Sequence, residues 1–125
     1  MVVLTSGNIV AVVDDDESIL RSLEYLLESA DYAVRTFASA TVLMESDDLQ
    51  RIDCLISDID MPGMDGVELL ARLHVVRPGL PIILISGYPD RLKRVPPGCG
   101  SRAFIKPFPA EDLLAAVAEA LPKAG

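Results

Sequence analysis

Four short apolar runs in this sequence end on groups suited to metal or phosphoryl chemistry. Asp14 and Asp15 follow residues 9–13 (IVAVV), Asp58 follows residues 54–57 (CLIS), Ser86 follows residues 82–85, and Lys106 follows residues 103–105. Three carboxylates gathered without cations repel, and at least one would have to take up a proton. A divalent cation resolves that conflict, and an all-oxygen ligand set selects a hard ion, Mg²⁺ or Mn²⁺. Magnesium keeps several waters and takes one or two carboxylates plus a phosphate oxygen, so this set is completed by a phosphoryl group. A lysine ammonium and a serine hydroxyl can serve further phosphoryl oxygens. The combination fits phosphoryl transfer, which depends mainly on alignment and charge neutralisation. Aspartate can itself accept the group covalently, and Asp58 is the candidate because it stands apart from the Asp14–Asp15 pair.

Those groups converge only if the apolar runs are neighbouring strands. The runs alternate with segments of helical period, one carrying Ile19, Leu20, Leu23, Leu26 and Leu27, another Val67, Leu69, Leu70 and Leu73, and a last one Leu113, Leu114, Val117 and Leu121. A further strand is expected over residues 33–37 and a short helix over 39–45. Prolines and glycines between Tyr88 and Gly100 leave space for one or two helical turns around residues 90–94. Five strands alternating with helices imply a parallel sheet covered on both faces by right-handed crossovers. Ligands of such sheets bind beyond the carboxyl ends of the strands, where all the groups above fall.

Composition narrows the partners. The chain has 125 residues, half of them hydrophobic, which suits one domain with a sizeable core. Eleven basic against nineteen acidic residues give a net charge of −8, which disfavours direct binding to nucleic acid or anionic membrane. No run approaches a transmembrane length, and the opening residues lack the basic and apolar regions of a signal peptide. A cytoplasmic protein is expected, with one domain over residues 1–125 and no effector segment following. Cys54 and Cys99, the two cysteines, have no metal-ligand spacing, so neither a disulfide framework nor a zinc site is expected. Cys54 reads as a small core residue and Cys99 as part of a Gly/Pro loop with no activating neighbour.

Together VVDDDES at residues 12–18, ISDIDMPGMDG at 56–66, LISG at 84–87 and KPF at 106–108 resemble a response-regulator receiver domain of two-component signalling, across essentially the whole chain. The resemblance implies a flavodoxin-like α/β fold with strand order 2-1-3-4-5. It also implies phosphorylation of Asp58 by a histidine kinase or phosphotransferase. By the same matching, Asp14, Asp15 and Asp58 hold the metal with the backbone carbonyl of Asp60. Ser86 is the hydroxyl that turns inward, and Lys106 pairs with the phosphorylated aspartate across a Lys106–Pro107 bond that is often cis. Asp60 and Tyr88 occupy the places where the family tunes dephosphorylation. Output would be protein–protein contact, homodimerisation or relay, through the surface of the fourth helix, fifth strand and fifth helix.

Two features depart from the family pattern. The fourth helix is shortened, and Ala103 stands where the family's rotating aromatic residue is found, so either Phe104, one place later, takes that role or the aromatic switch is missing. Several residues have plainer roles. Asp16 and Glu17 suit a helix start, Asp60 and Asp65 a turn beside Pro62 and Gly63, His74 a surface or packing place, and Arg91, Lys93 and Arg94 a solvated face. An alternative function reads Asp58 and Asp60 as the DxD of a haloacid-dehalogenase-like phosphatase, which multiple turnover on phosphate monoesters would reveal.

Overall fold

The structure is a computed structural model that describes residues 8–95 and 102–121. Five strands, β1 (Ile9–Val13), β2 (Ala33–Phe37), β3 (Cys54–Asp58), β4 (Ile82–Ser86) and β5 (Arg102–Ile105), form one parallel sheet in the order β2-β1-β3-β4-β5. This is the expected doubly wound arrangement. The helices are α1 (Glu17–Ser29), α2 (Ala40–Met44), α3 (Gly66–Val76), α4 (Pro89–Leu92) and α5 (Ala110–Ala120). A 3-10 turn over Asp47–Gln50, which periodicity does not reveal, leads into β3. The sheet is continuous because each crossover returns the chain in parallel register, for example Val13 beside Ser57 and Asp58 beside Ile85.

Period-two alternation sorts the strand residues between two cores. Val10, Val12, Cys54, Ile56, Ile83 and Ile85 face α1 and α5, meeting Leu20, Leu23, Leu27, Leu113 and Val117. Ala11, Val13, Leu55, Ile82 and Leu84 face the other way, toward Leu43 of α2 and Leu69, Leu70 and Leu73 of α3. Both faces of β3 and β4 are therefore buried, which is why these strands read as unbroken apolar runs. Cys54 lies within this core, and burial pushes its thiol up to about 12. Cys99 lies outside the described residues.

Local chemistry fixes the element ends nearest the site. Asp16 caps α1, accepting from the Ser18 and Ile19 amides, and the Ser18 hydroxyl also donates to it, holding its carboxyl below the usual range. Asp65 caps α3 by accepting from the Glu68 amide, a more specific role than the turn position expected from sequence. Gly63 has φ +74°, the left-handed turn conformation that glycine accepts without strain. The fourth helix is short, spanning Pro89–Leu92 where the sequence suggested 90–94. Among the described residues, no helix is long and apolar enough to cross a membrane.

Candidate functional site

The carboxyl ends of β1, β3, β4 and β5 meet at one edge of the sheet and bring the predicted groups together. One carboxylate oxygen from each of Asp14, Asp15 and Asp58 lies within 4.8 Å of the others. Asp14 and Asp58 are buried and Asp15 is exposed, so the cluster opens to solvent on one side. Lys106 Nζ lies 3.8 Å from Asp14 Oδ2 and 3.7 Å from Asp58 Oδ2, so a single positive charge is shared between two of the three acids. The Lys106 backbone N–H donates to the Ser86 carbonyl at 2.8 Å, which ties the end of β5 to β4, and the Lys106–Pro107 peptide is cis.

The backbone supports each acid. Asp14 Oδ1 accepts from the Asp16 amide at 2.9 Å, and Asp58 Oδ1 accepts from the Asp60 amide at 3.3 Å. Burial nevertheless dominates at Asp14 and raises its pKa from 3.8 to about 6. Asp58 is raised for the same first reason. Gly66 seats the loop that follows Asp58. A Cβ there would lie 2.6 Å from the Asp58 carbonyl oxygen and 2.7 Å from Ile59 Cα, so the close approach of α3 to the end of β3 requires glycine.

These residues fit a hard divalent cation. Octahedral oxygen ligands about 2.0–2.1 Å from Mg²⁺ stand no more than about 4.2 Å apart, within a small inward adjustment of the carboxylate spacing here. Three acids faced by one lysine also leave negative charge that such an ion would neutralise. The carboxylate side of the set is Asp14, Asp15 and Asp58.

The remaining candidates divide. Ser86 is fully buried, and its hydroxyl donates to Asp60 Oδ2 at 2.8 Å, with the Tyr88 carbonyl at 3.1 Å, while Oγ accepts from the Tyr88 amide at 3.0 Å. The side chain of Asp60 thus engages Ser86, a contact sequence spacing does not disclose. Tyr88 is exposed, with the Arg91 guanidinium 5.6 Å from its ring centroid. Phe104 is half-buried between the Arg102 guanidinium and the Phe108 ring, whose centroid is 5.6 Å away. His74 is exposed in the last turn of α3.

Arg91, Lys93 and Arg94 are exposed, as expected of a solvated face, and the two arginines also form ion pairs across the surface. Arg91 Nη1 lies 3.3 Å from Asp60 Oδ1, and Arg94 Nη2 lies 2.9 Å from Asp65 Oδ2. Both guanidinium groups are about half exposed yet reach back to the loop after β3. The sequence signal for this is faint, namely two arginines three residues apart after the fourth strand, opposite an acidic loop.

Comparison with known proteins agrees with this geometry. The response regulator receiver domain family matches residues 10–118. The response regulator TmoT of Ectopseudomonas mendocina is 36% identical over 117 residues, covering 91% of this chain and 53% of that protein. FixJ of Bradyrhizobium diazoefficiens is 32% identical over 123 residues, covering 97% of this chain and 60% of the regulator. The chain thus spans little more than half the length of these curated relatives. Among solved structures, the response regulator StyR superposes with TM-score 0.80 at 34% identity, over 93% of this chain and 60% of that one. The chemotaxis protein CheY4 of Vibrio cholerae superposes with TM-score 0.79 at 28% identity, over 93% and 100%. With the fold, the strand-end residues and the family match in accord, this chain belongs to the response regulator receiver domains.

Proposed function

We propose that this chain is a phosphoacceptor switch in which Asp58 takes a phosphoryl group from the phosphohistidine of a histidine kinase or histidine phosphotransferase. The observation that carries the reading is the buried Asp58 carboxylate at the end of the central strand β3, within 4.8 Å of Asp14 and Asp15 oxygens and 3.7 Å from Lys106. A carboxylate oxygen of Asp58 forms the bond to phosphorus as the donor's P–N bond breaks, and the imidazole leaves with that electron pair and takes up a proton. Mg²⁺, or Mn²⁺, held by Asp14, Asp15, Asp58 and the Asp60 carbonyl, would supply charge neutralisation for the transferring group. Lys106 pairs with one phosphoryl oxygen and Ser86 turns to donate to another.

Phosphorylation replaces the single charge of the Asp58 carboxylate by the roughly −2 of a phosphoryl group and brings new acceptor oxygens, biasing an equilibrium between two arrangements of the loops after β4 and β5. Output then runs through contact with a partner protein, a phosphorylation-dependent homodimer or onward relay to a histidine, in the cytoplasm. In this reading Asp60 and Tyr88 set the lifetime of the phosphoryl group, and Phe104 stands in for the aromatic switch. The phosphatase alternative is less well supported, because the Asp60 carboxylate is already engaged by Ser86 and Arg91.

Intact mass after incubation with Mg²⁺ and a small acyl phosphate tests the proposal, with phosphate release followed in the same tube. One added phosphoryl group on the native chain, absent from Asp58→Asn and from metal-free samples, is the expected result. Neither adduct nor release would overturn it, and sustained turnover on phosphate monoesters would favour the phosphatase.

A further inference from the structure

The hydroxyl of Ser86 has one proton, and the structure spends it away from Asp58. The Ser86–Asp60 hydrogen bond of 2.8 Å continues to Arg91, whose Nη1 lies 3.3 Å from the other Asp60 oxygen. That oxygen is buried without a hydrogen bond, so the nearby guanidinium is what compensates its charge. One turn later Arg94 donates to Asp65, the residue that caps α3. Leu92 and Val95, between and beside the two arginines, pack against the core under α3. The short α4 segment is thereby fastened at two points to the loop that follows Asp58.

We propose that Asp60, Asp65, Arg91 and Arg94 form a clasp that holds residues 89–95 on the β3–α3 loop, and that its hold depends on the Ser86 hydroxyl. The inference rests on Asp58 being the phosphoacceptor. When Ser86 donates to a phosphoryl oxygen it leaves Asp60, whose half-buried carboxylate then lacks its donor. Asp60 must reorient toward water, Arg91 loses its seat, and α4 loosens. The state of Asp58 is so converted into the order of an exposed segment bearing Tyr88, Arg91, Lys93 and Arg94.

Amide hydrogen exchange of the full chain, read on residues 88–95, tests the clasp. The Arg91, Lys93, Arg94 and Val95 amides donate to the carbonyls of Tyr88, Asp90, Arg91 and Leu92, so they report the integrity of this segment. Without phosphodonor, Arg91→Gln and Ser86→Ala should each speed exchange there by about threefold, the effect of losing one partly exposed ion pair or hydrogen bond. The native chain treated with Mg²⁺ and a small acyl phosphate should show the same rise, and treated Arg91→Gln none beyond its own. Intact mass and phosphate release are read on every sample. A native chain that gains the phosphoryl mass with unchanged exchange overturns the clasp, as does unchanged exchange in Arg91→Gln. A native chain that shows neither the added mass nor phosphate release refutes the phosphoacceptor reading alone, because the two variants without donor still decide whether the clasp exists.

Discussion

Replacing Asp14 by asparagine should stabilise the metal-free protein at neutral pH, although it removes a metal ligand. Burial raises the Asp14 pKa from 3.8 to about 6, so ionising it in the fold is harder than in the unfolded chain. The folded chain binds more protons than the unfolded one between those values, and its stability therefore falls as pH rises through the window. At about 1.4 kcal/mol per pKa unit, the penalty above pH 6 is about 3 kcal/mol. Asparagine keeps an oxygen to accept from the Asp16 amide 2.9 Å away, but loses the charge that Lys106 meets at 3.8 Å. A net gain of about 1–2 kcal/mol follows, worth about 4–8 °C in Tm for a domain of this size. Denaturant unfolding with a chelator present, at several pH values, reads it directly. The advantage should be absent below about pH 3.8, where the acid is protonated in both states, and should grow to a plateau above pH 6. Saturating Mg²⁺ should shrink or reverse it, because binding stabilises the native chain more than the variant. A variant less stable than the native chain at pH 7.5 without metal would refute the burial argument.

Gly66→Ala should cost about 1–3 kcal/mol and slow phosphorylation of Asp58, since its Cβ meets the Asp58 carbonyl at 2.6 Å; unfolding curves and phosphorylation rates check both effects. Lys106→Met should destabilise the metal-free protein by about 1 kcal/mol at pH 7 and by much less at pH 4, because the cation between Asp14 and Asp58 acts only on ionised partners. Unfolding at the two pH values would show the difference. Tyr88→Ala should alter the decay rate of the phosphorylated form by removing the ring beside Arg91, and a decay followed by intact mass that matches the native chain would dismiss that role.

Much of this protein was legible in one dimension because its constraints are local or periodic. An unbroken β-branched run such as IVAVV fits a strand buried on both faces, and leucines at helical spacing fit the helices that cover it. The parallel topology then obliges Asp14, Asp15, Asp58, Ser86 and Lys106 to share one edge, so the site's membership follows from where each run stops. What the tertiary structure decided are contacts between side chains distant in sequence. Asp60 and Ser86 are 26 residues apart, and Arg94 and Asp65 are 29 apart, with no periodicity linking them. The direction in which the serine hydroxyl points, the burial that raises Asp14, and the space that excludes a Cβ at Gly66 depend on how helices and loops pack over the sheet edge. Those properties belong to the assembled surface, because solvation and hydrogen-bond geometry arise only once the neighbours are in place.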